Sequence, residues 1–208
     1  MSTTTRKRKT PTQADAQHPR VRVSRIDDRR APKVSRDVES VRRRLAAGAK
    51  LIVVDTGDDV IELNDADLRA SGQHWTLRIA GNSTARIHCS APLPDRVQIV
   101  ATDSAFVEVT GRVTIHAYTN ATVHAFDECV VHAWNFAVVS VCDTSTVVAG
   151  DDTVVTAYDS AGVRASGRAR VSAGDATAVH LDEDASAAVQ RGVRVTGPSR
   201  SNLTVRSR

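Results

Sequence analysis

Residues 121–144 read ATVHAFDECVVHAWNFAVVSVCDT, and cut every eight residues they become ATVHAFDE, CVVHAWNF and AVVSVCDT. Each octad opens on a small residue, carries valine third, a small or apolar residue fifth, and Asp or Asn seventh. Apolar positions two apart are the signature of a strand with one buried face, because successive side chains point to opposite sides. A helix would need them three and four apart. Asp and Asn tolerate the left-handed backbone of a tight corner. Each octad is therefore read as a short strand plus a corner.

The phase holds outward from this stretch over 97–208. The third position runs Ile99, Val107, Ile115, Val123, Val131, Val139, Val147, Val155, Val163, Val171, Val179, Ala187, Val195, Leu203, with no polar residue among them. The fifth is mostly alanine, from Ala101 to Ala173, and the even positions are mixed and hold the histidines. One octad cannot bury its apolar face, but stacked octads can. The fold class is accordingly all-β, a single-stack β-solenoid. Side chains as small as Ala–Val–Ala suit two thin facing sheets, whereas a triangular section would leave a hole. Asp127, Asp143, Asp159 and Asp175 fall in alternate units, which a coil of two octads would sort onto one edge. Two octads per coil is the expectation, with about thirteen or fourteen octads in the rod.

ATVHAFDE, TVVTAYDS (153–160) and ARVSAGDA (169–176) resemble the ATVxAxDS-type octapeptide repeats of β-solenoid proteins of bacteria and phages, and are distantly similar to the octads of ice-nucleation proteins. The resemblance covers about half the chain. It implies architecture and says little of activity, since function resides in sites rather than folds. The outward pairs vary from unit to unit (Thr122/His124, Val130/His132, Val138/Ser140, Arg170/Ser172), unlike the repetitive threonine rows an ice lattice requires.

Upstream, 35–96 reads as a helix plus a capping β region. Ser35 is placed to cap the helix, Asp37 and Glu39 lie in its first turn, and Gly48 stops it. Val38, Val41 and Leu45 share a stripe, with Arg42, Arg43 and Arg44 largely off it. LIVVD (51–55) and VIELN (60–64) resemble a hairpin, and WTLRIA (75–80) and ARIHCS (85–90) flank a second turn. Residues 1–34 lack apolar periodicity and are read as a disordered basic arm. In it Arg6, Lys7, Arg8 and Lys9 are the candidate polyanion contact.

Charge is unevenly distributed. The net of +4 hides 15 Lys/Arg against 5 Asp/Glu in residues 1–50, and 5 against 12 in 97–192. Such asymmetry suits an arm that meets polyanions or an acidic partner. There is no apolar run long enough to span a membrane and no secretory leader pattern. Three cysteines without metal-type spacing fit free thiols in a reducing compartment, so a cytoplasmic or virion-associated protein is expected. The excess of arginine, alanine, valine and aspartate fits a high-GC genome of an actinobacterium or its phage.

In a sixteen-residue coil His116 and His132 would stack about 4.8 Å apart on the outer face, with Tyr118 and Trp134 beside them. These four residues form the candidate partner patch. The aspartate row invites either calcium or hydrogen bonds from turn amides. The glycines of the calcium-binding nonapeptide are missing, and the turn reading is preferred. No nucleophile–base, phosphate-cradle or dinucleotide pattern appears. The sequence thus points away from an enzyme, a cofactor or a metal, and towards a structural or interaction module with a protein partner. Nucleic acid could be met through the arm. The alternatives are an acidic nucleic-acid-mimic decoy and an end-to-end polymer former.

Overall fold

The computed structural model describes residues 33–57, 59–198 and 202–206. Strands alternate between two all-parallel sheets. Sheet A has ten strands, running from Val34–Ser35 through Thr114–Ala117 and Val130–Ala133 to Arg194–Thr196. Sheet B has nine, running from Val60–Asn64 through Val138–Val141 to Leu203–Arg206. Val131 lies beside Ile115 and Val147, and Val139 beside Val123 and Val155, a step of 16 residues each way. The coil is therefore two octads, as the small core residues require.

First, third and fifth positions point between the sheets and are buried from Ala105 to Val189. Where the first position is polar it is also satisfied. Thr153 and Thr177 donate their hydroxyls to the carbonyls of Gly150 and Gly174, three residues back, and Ser145 donates to the Asp127 carbonyl at 3.3 Å. Burial of a hydroxyl is tolerable only with such a partner.

Corners are made at the seventh position, where Asp103, Thr119, Asp127, Asn135, Asp143, Asp151, Asp159, Asp175 and Glu183 all have φ between 52° and 61°. That left-handed backbone costs a non-glycine residue roughly 1–2 kcal/mol. The side chain offsets part of it. Gly111 N–H donates to Asp127 Oδ2 (2.8 Å), Asp127 N–H to Asp143 Oδ2 (3.0 Å), Asp143 N–H to Asp159 Oδ2 (3.3 Å) and Asp159 N–H to Asp175 Oδ2 (3.4 Å). On the other edge Thr119 N–H meets Asn135 Oδ1 (3.3 Å) and Asn135 N–H meets Asp151 Oδ2 (2.9 Å). Turn amides do bind the carboxylates, but each amide belongs to the neighbouring coil and not to the carboxylate's own turn. The ladder thus clamps coil to coil.

Four upstream expectations need correction. Ser35 is not the helix cap; it lies in the Val34–Ser35 strand beside Val53 and Val54, so strand structure begins inside the arm expected to end at 34. Asp37 caps the helix Val38–Ala46, accepting from Ser40 N–H at 2.6 Å, and Val41 and Leu45 are buried against the end of the core. The expected hairpin of 51–64 is a corner, as is the second turn between 75–80 and 85–90, since each pair of strands divides between the sheets and pairs in parallel with other strands. Residues 51–96 are therefore the first coils of the same solenoid, and among the described residues it is the helix that covers their open end. Those coils are longer: Leu51 lies beside Thr76 and Trp75 beside Val97, steps of 25 and 22 residues. The extra residues form a short helix, Asp65–Arg69, and the segment 90–96. Among the described residues no helix is long and apolar enough to cross a membrane.

Candidate functional site

The outward face of sheet A carries the patch. Parallel register sets His116 beside His132, and their rings stack with centroids 5.0 Å apart and planes 16° from parallel. Tyr118 and Trp134 stack at 5.3 Å and 14°. The indole also lies nearly parallel to both imidazoles, 6.1 Å from His116 and 5.9 Å from His132. All four expected residues thus meet in one ladder of rings. Gly150 makes room for it, because a Cβ there would fall 3.0 Å from Trp134 Cδ1.

Electrostatically the ladder is neutral ground. Burial, reinforced by the neighbouring His132, pushes His116 down to about 4 from an ordinary 6.5, and burial lowers His132 as well. Desolvation raises the Tyr118 phenol. At neutral pH both imidazoles are uncharged. From Gln98 to Gly150 the outward positions of four successive strands of sheet A, with Val100, Thr114, Val130 and Val148 among them, include no charged residue.

Beside His116 the face deepens into a concavity of about 540 Å³ between the sheet (Thr76, Gln98, Thr114) and the segment holding Leu93, Pro94 and Arg96. That wall is fastened. Arg69 donates to the carbonyls of Ala91 (2.8 Å) and Pro92 (2.7 Å), and Arg96 Nε to the Ser71 carbonyl (3.2 Å). Asp65 Oδ2 accepts from the Ser90 amide and hydroxyl, both at 2.8 Å, which holds its carboxyl below the usual range. Lys50, His74, Arg96 and Asp95 line the rim. The octads run without an inserted loop, so nothing in their pattern signals this recess. The insertion that builds it sits upstream, where the period fails.

A second arrangement is equally invisible in the sequence. His180 lies between Thr196 Oγ1 (3.0 Å to Nδ1) and Asp182 Oδ1 (3.2 Å to Nε2), and Asp182 is paired with Arg164 at 3.2 Å. It spans three successive rungs: His180 and Asp182 share one, Thr196 lies sixteen residues beyond His180, and Arg164 lies eighteen before Asp182. Its carboxylate is shared with an arginine, and His180 is partly buried at a shallow concavity of about 370 Å³ lined also by Arg164, Arg194 and Thr196, so it reads as a surface hydrogen-bond network.

Of the cysteines, Cys129 and Cys89 are buried free thiols, and burial raises both, Cys89 to about 12. Cys142 is partly exposed on sheet B, and burial raises it too. Among the described residues no group of three or more His, Cys, Asp or Glu is placed to hold a metal ion. Arg6, Lys7, Arg8 and Lys9 lie outside the described residues. No family model, curated protein or solved structure matches this chain.

Proposed function

We propose that the protein is a non-enzymatic structural and interaction module, a rigid β-solenoid whose sheet A presents outward side chains to a protein partner. The observation that carries this reading is the ring ladder His116–His132–Tyr118–Trp134 on an uncharged face beside a walled recess. Aromatic rings already ordered by stacking lose little entropy on contact, and such residues concentrate binding energy. The cations Lys50 and Arg96 at the recess favour a partner segment that brings a carboxylate next to an apolar side chain.

The test is quantitative affinity capture from the organism's own extract with the full chain. The wild type is compared with Tyr118→Ser/Trp134→Ser, with Lys50→Glu/Arg96→Glu, and with a variant whose Arg6, Lys7, Arg8 and Lys9 are replaced by glutamine. A partner lost from the first two and retained by the third supports the reading. An unchanged captured set with the ladder removed overturns it.

One observation favours a second reading, the acidic decoy. Asp127, Asp143, Asp159 and Asp175 line one edge, and Asp151, Asp152, Glu183 and Asp184 the other. Arg168 neutralises Asp152 at 2.6 Å, which weakens the second row. A decoy predicts that duplex DNA displaces the captured partner, and that displacement weakens steeply with salt.

A further inference from the structure

The recess beside His116 is a built pocket and not a dip in the sheet. Its volume of about 540 Å³ falls within the roughly 300–1,000 Å³ of small-ligand sites. Parallel register makes the floor: Thr76 lies beside Gln98, and Thr114 is on the next strand of the same face. The wall of Leu93, Pro94 and Arg96 is held from both ends. Besides the bonds from Arg69 and from Arg96 Nε, Val97 N–H donates to the Pro94 carbonyl (2.8 Å) and Trp75 N–H to the Arg96 carbonyl (2.9 Å). A wall fixed in this way loses little freedom when a ligand arrives.

Its polar lining consists mainly of donors. The Lys50 ammonium has no ion-pair or hydrogen-bond partner. Arg96 engages the Ser71 carbonyl through Nε alone, which leaves the two Nη groups of its fork. Gln98 Oε1 accepts from the Thr76 hydroxyl at 3.4 Å, so the amide N–H groups remain. His116 Nδ1 is buried without a partner. A proton there would be a buried donor with nothing to meet, so the proton belongs on Nε2 and makes that nitrogen a neutral donor. Asp95, exposed at the rim, is the one carboxylate of the lining.

We infer that the recess binds a small phosphate monoester, with its dianion held by Lys50 and Arg96 and its hydroxyl-bearing remainder by Gln98, Thr114 and His116. Two cations match a dianion, whereas a monocarboxylate would leave one of them unmatched. Arginine's planar fork suits two phosphate oxygens, and lysine serves as a point charge for a third. Asp95 is an acceptor for a ligand hydroxyl, and its charge disfavours a longer polyanion. Lys50 and Arg96 also belong to the partner surface proposed above, so the ester and a partner carboxylate compete for the same cations. Only that competition rests on the partner reading; binding of the ester does not.

Isothermal titration calorimetry on the full chain tests the inference, with ribose 5-phosphate as the probe and inorganic phosphate, ribose and gluconate as comparisons. Ribose 5-phosphate is expected to bind once per chain. Inorganic phosphate, which lacks the hydroxyl contacts, and gluconate, which carries one negative charge, are each expected to bind about tenfold more weakly or worse, and ribose not at all. Lys50→Gln is expected to raise the ribose 5-phosphate Kd by about tenfold or more. Thr114→Val is expected to raise it for ribose 5-phosphate and leave inorganic phosphate unchanged. Arg164→Gln, which alters a cation of sheet A outside the recess, is expected to change neither. Lys50 and Thr114 are exposed, and an unchanged far-UV circular dichroism spectrum verifies that the solenoid is intact. A wild type that binds no ribose 5-phosphate overturns the proposal. So does gluconate bound as tightly as the ester, an unaltered Kd in Lys50→Gln, or a loss in Arg164→Gln as large as in Lys50→Gln, which would mean diffuse attraction to surface charge. No partner protein enters these titrations, so their failure leaves the ring-ladder reading standing, and a failed capture experiment leaves the titrations standing.

Discussion

Replacing Asp143 separates the two duties that the corner aspartates perform. Asp143 has φ 55°, and its Oδ2 accepts from the Asp127 amide at 3.0 Å. Asp143→Ala removes the hydrogen bond, worth about 1 kcal/mol net. Alanine keeps the left-handed backbone cost that the aspartate already carries and loses aspartate's local tolerance of it, for a net loss of about 1–2 kcal/mol. Asp143→Gly loses the same bond but relieves the backbone by roughly 1–2 kcal/mol, and is expected to cost about 0.5 kcal/mol or less after the extra chain entropy of glycine. Asp143→Asn retains an acceptor oxygen and the left-handed preference, as Asn135 shows at the equivalent place on the opposite edge. It also removes a charge from a row spaced ~4.8 Å apart, where each like-charge contact is worth no more than about 0.9 kcal/mol in water. Asparagine is therefore expected within ~0.5 kcal/mol of wild type. Urea unfolding at 25 °C followed by circular dichroism gives the order, read as midpoint shifts at a common slope. Wild type should gain stability between low and high salt as the carboxylates are screened, and the asparagine variant should gain less. Equal losses for alanine and glycine would refute the backbone argument. An asparagine variant as damaged as alanine would show that the charge itself is needed.

Three other outcomes are expected. The two ladder imidazoles have folded values below their unfolded ones, so their stabilising contribution is complete above about pH 6.5 and is lost as pH falls towards the value of about 4 reached by His116. Thermal melts from pH 7 to 4 should show a decline on the order of 2–3 kcal/mol from His116, and His116→Phe should flatten it. Gly150→Val should push Trp134 off its seat, changing indole emission and weakening partner capture without unfolding the coil; unchanged emission would count against the seat. Ala133→Leu, between Ala117 and Ala149 in the closed core, should cost about 3 kcal/mol or more, because thin sheets can relax only by parting; urea midpoints decide it.

The octad period carries most of the fold. Valine third, alanine fifth and Asp or Asn seventh fix strand, facing and corner, and the size of the inward side chains fixes how near the sheets come, hence two octads per coil. The stacking of His116 on His132 and Tyr118 on Trp134 follows from that register alone, since parallel pairing puts residue i against i+16. Residues 51–96 are illegible for the opposite reason. With coils of 22 and 25 residues they have no shared period, and only their pairing with later strands shows that they belong to the same two sheets. Composition does not decide between Ser35 and Asp37 as helix cap, because both are good caps and the choice turns on the strand that Ser35 joins. Tertiary structure alone decided which amide each corner carboxylate serves and where the recess beside His116 lies. Sequence dictates local backbone states and which side of a strand is dry. What sits across a groove or on the next coil depends on contacts between residues far apart in the chain, and those exist only once the coil has closed.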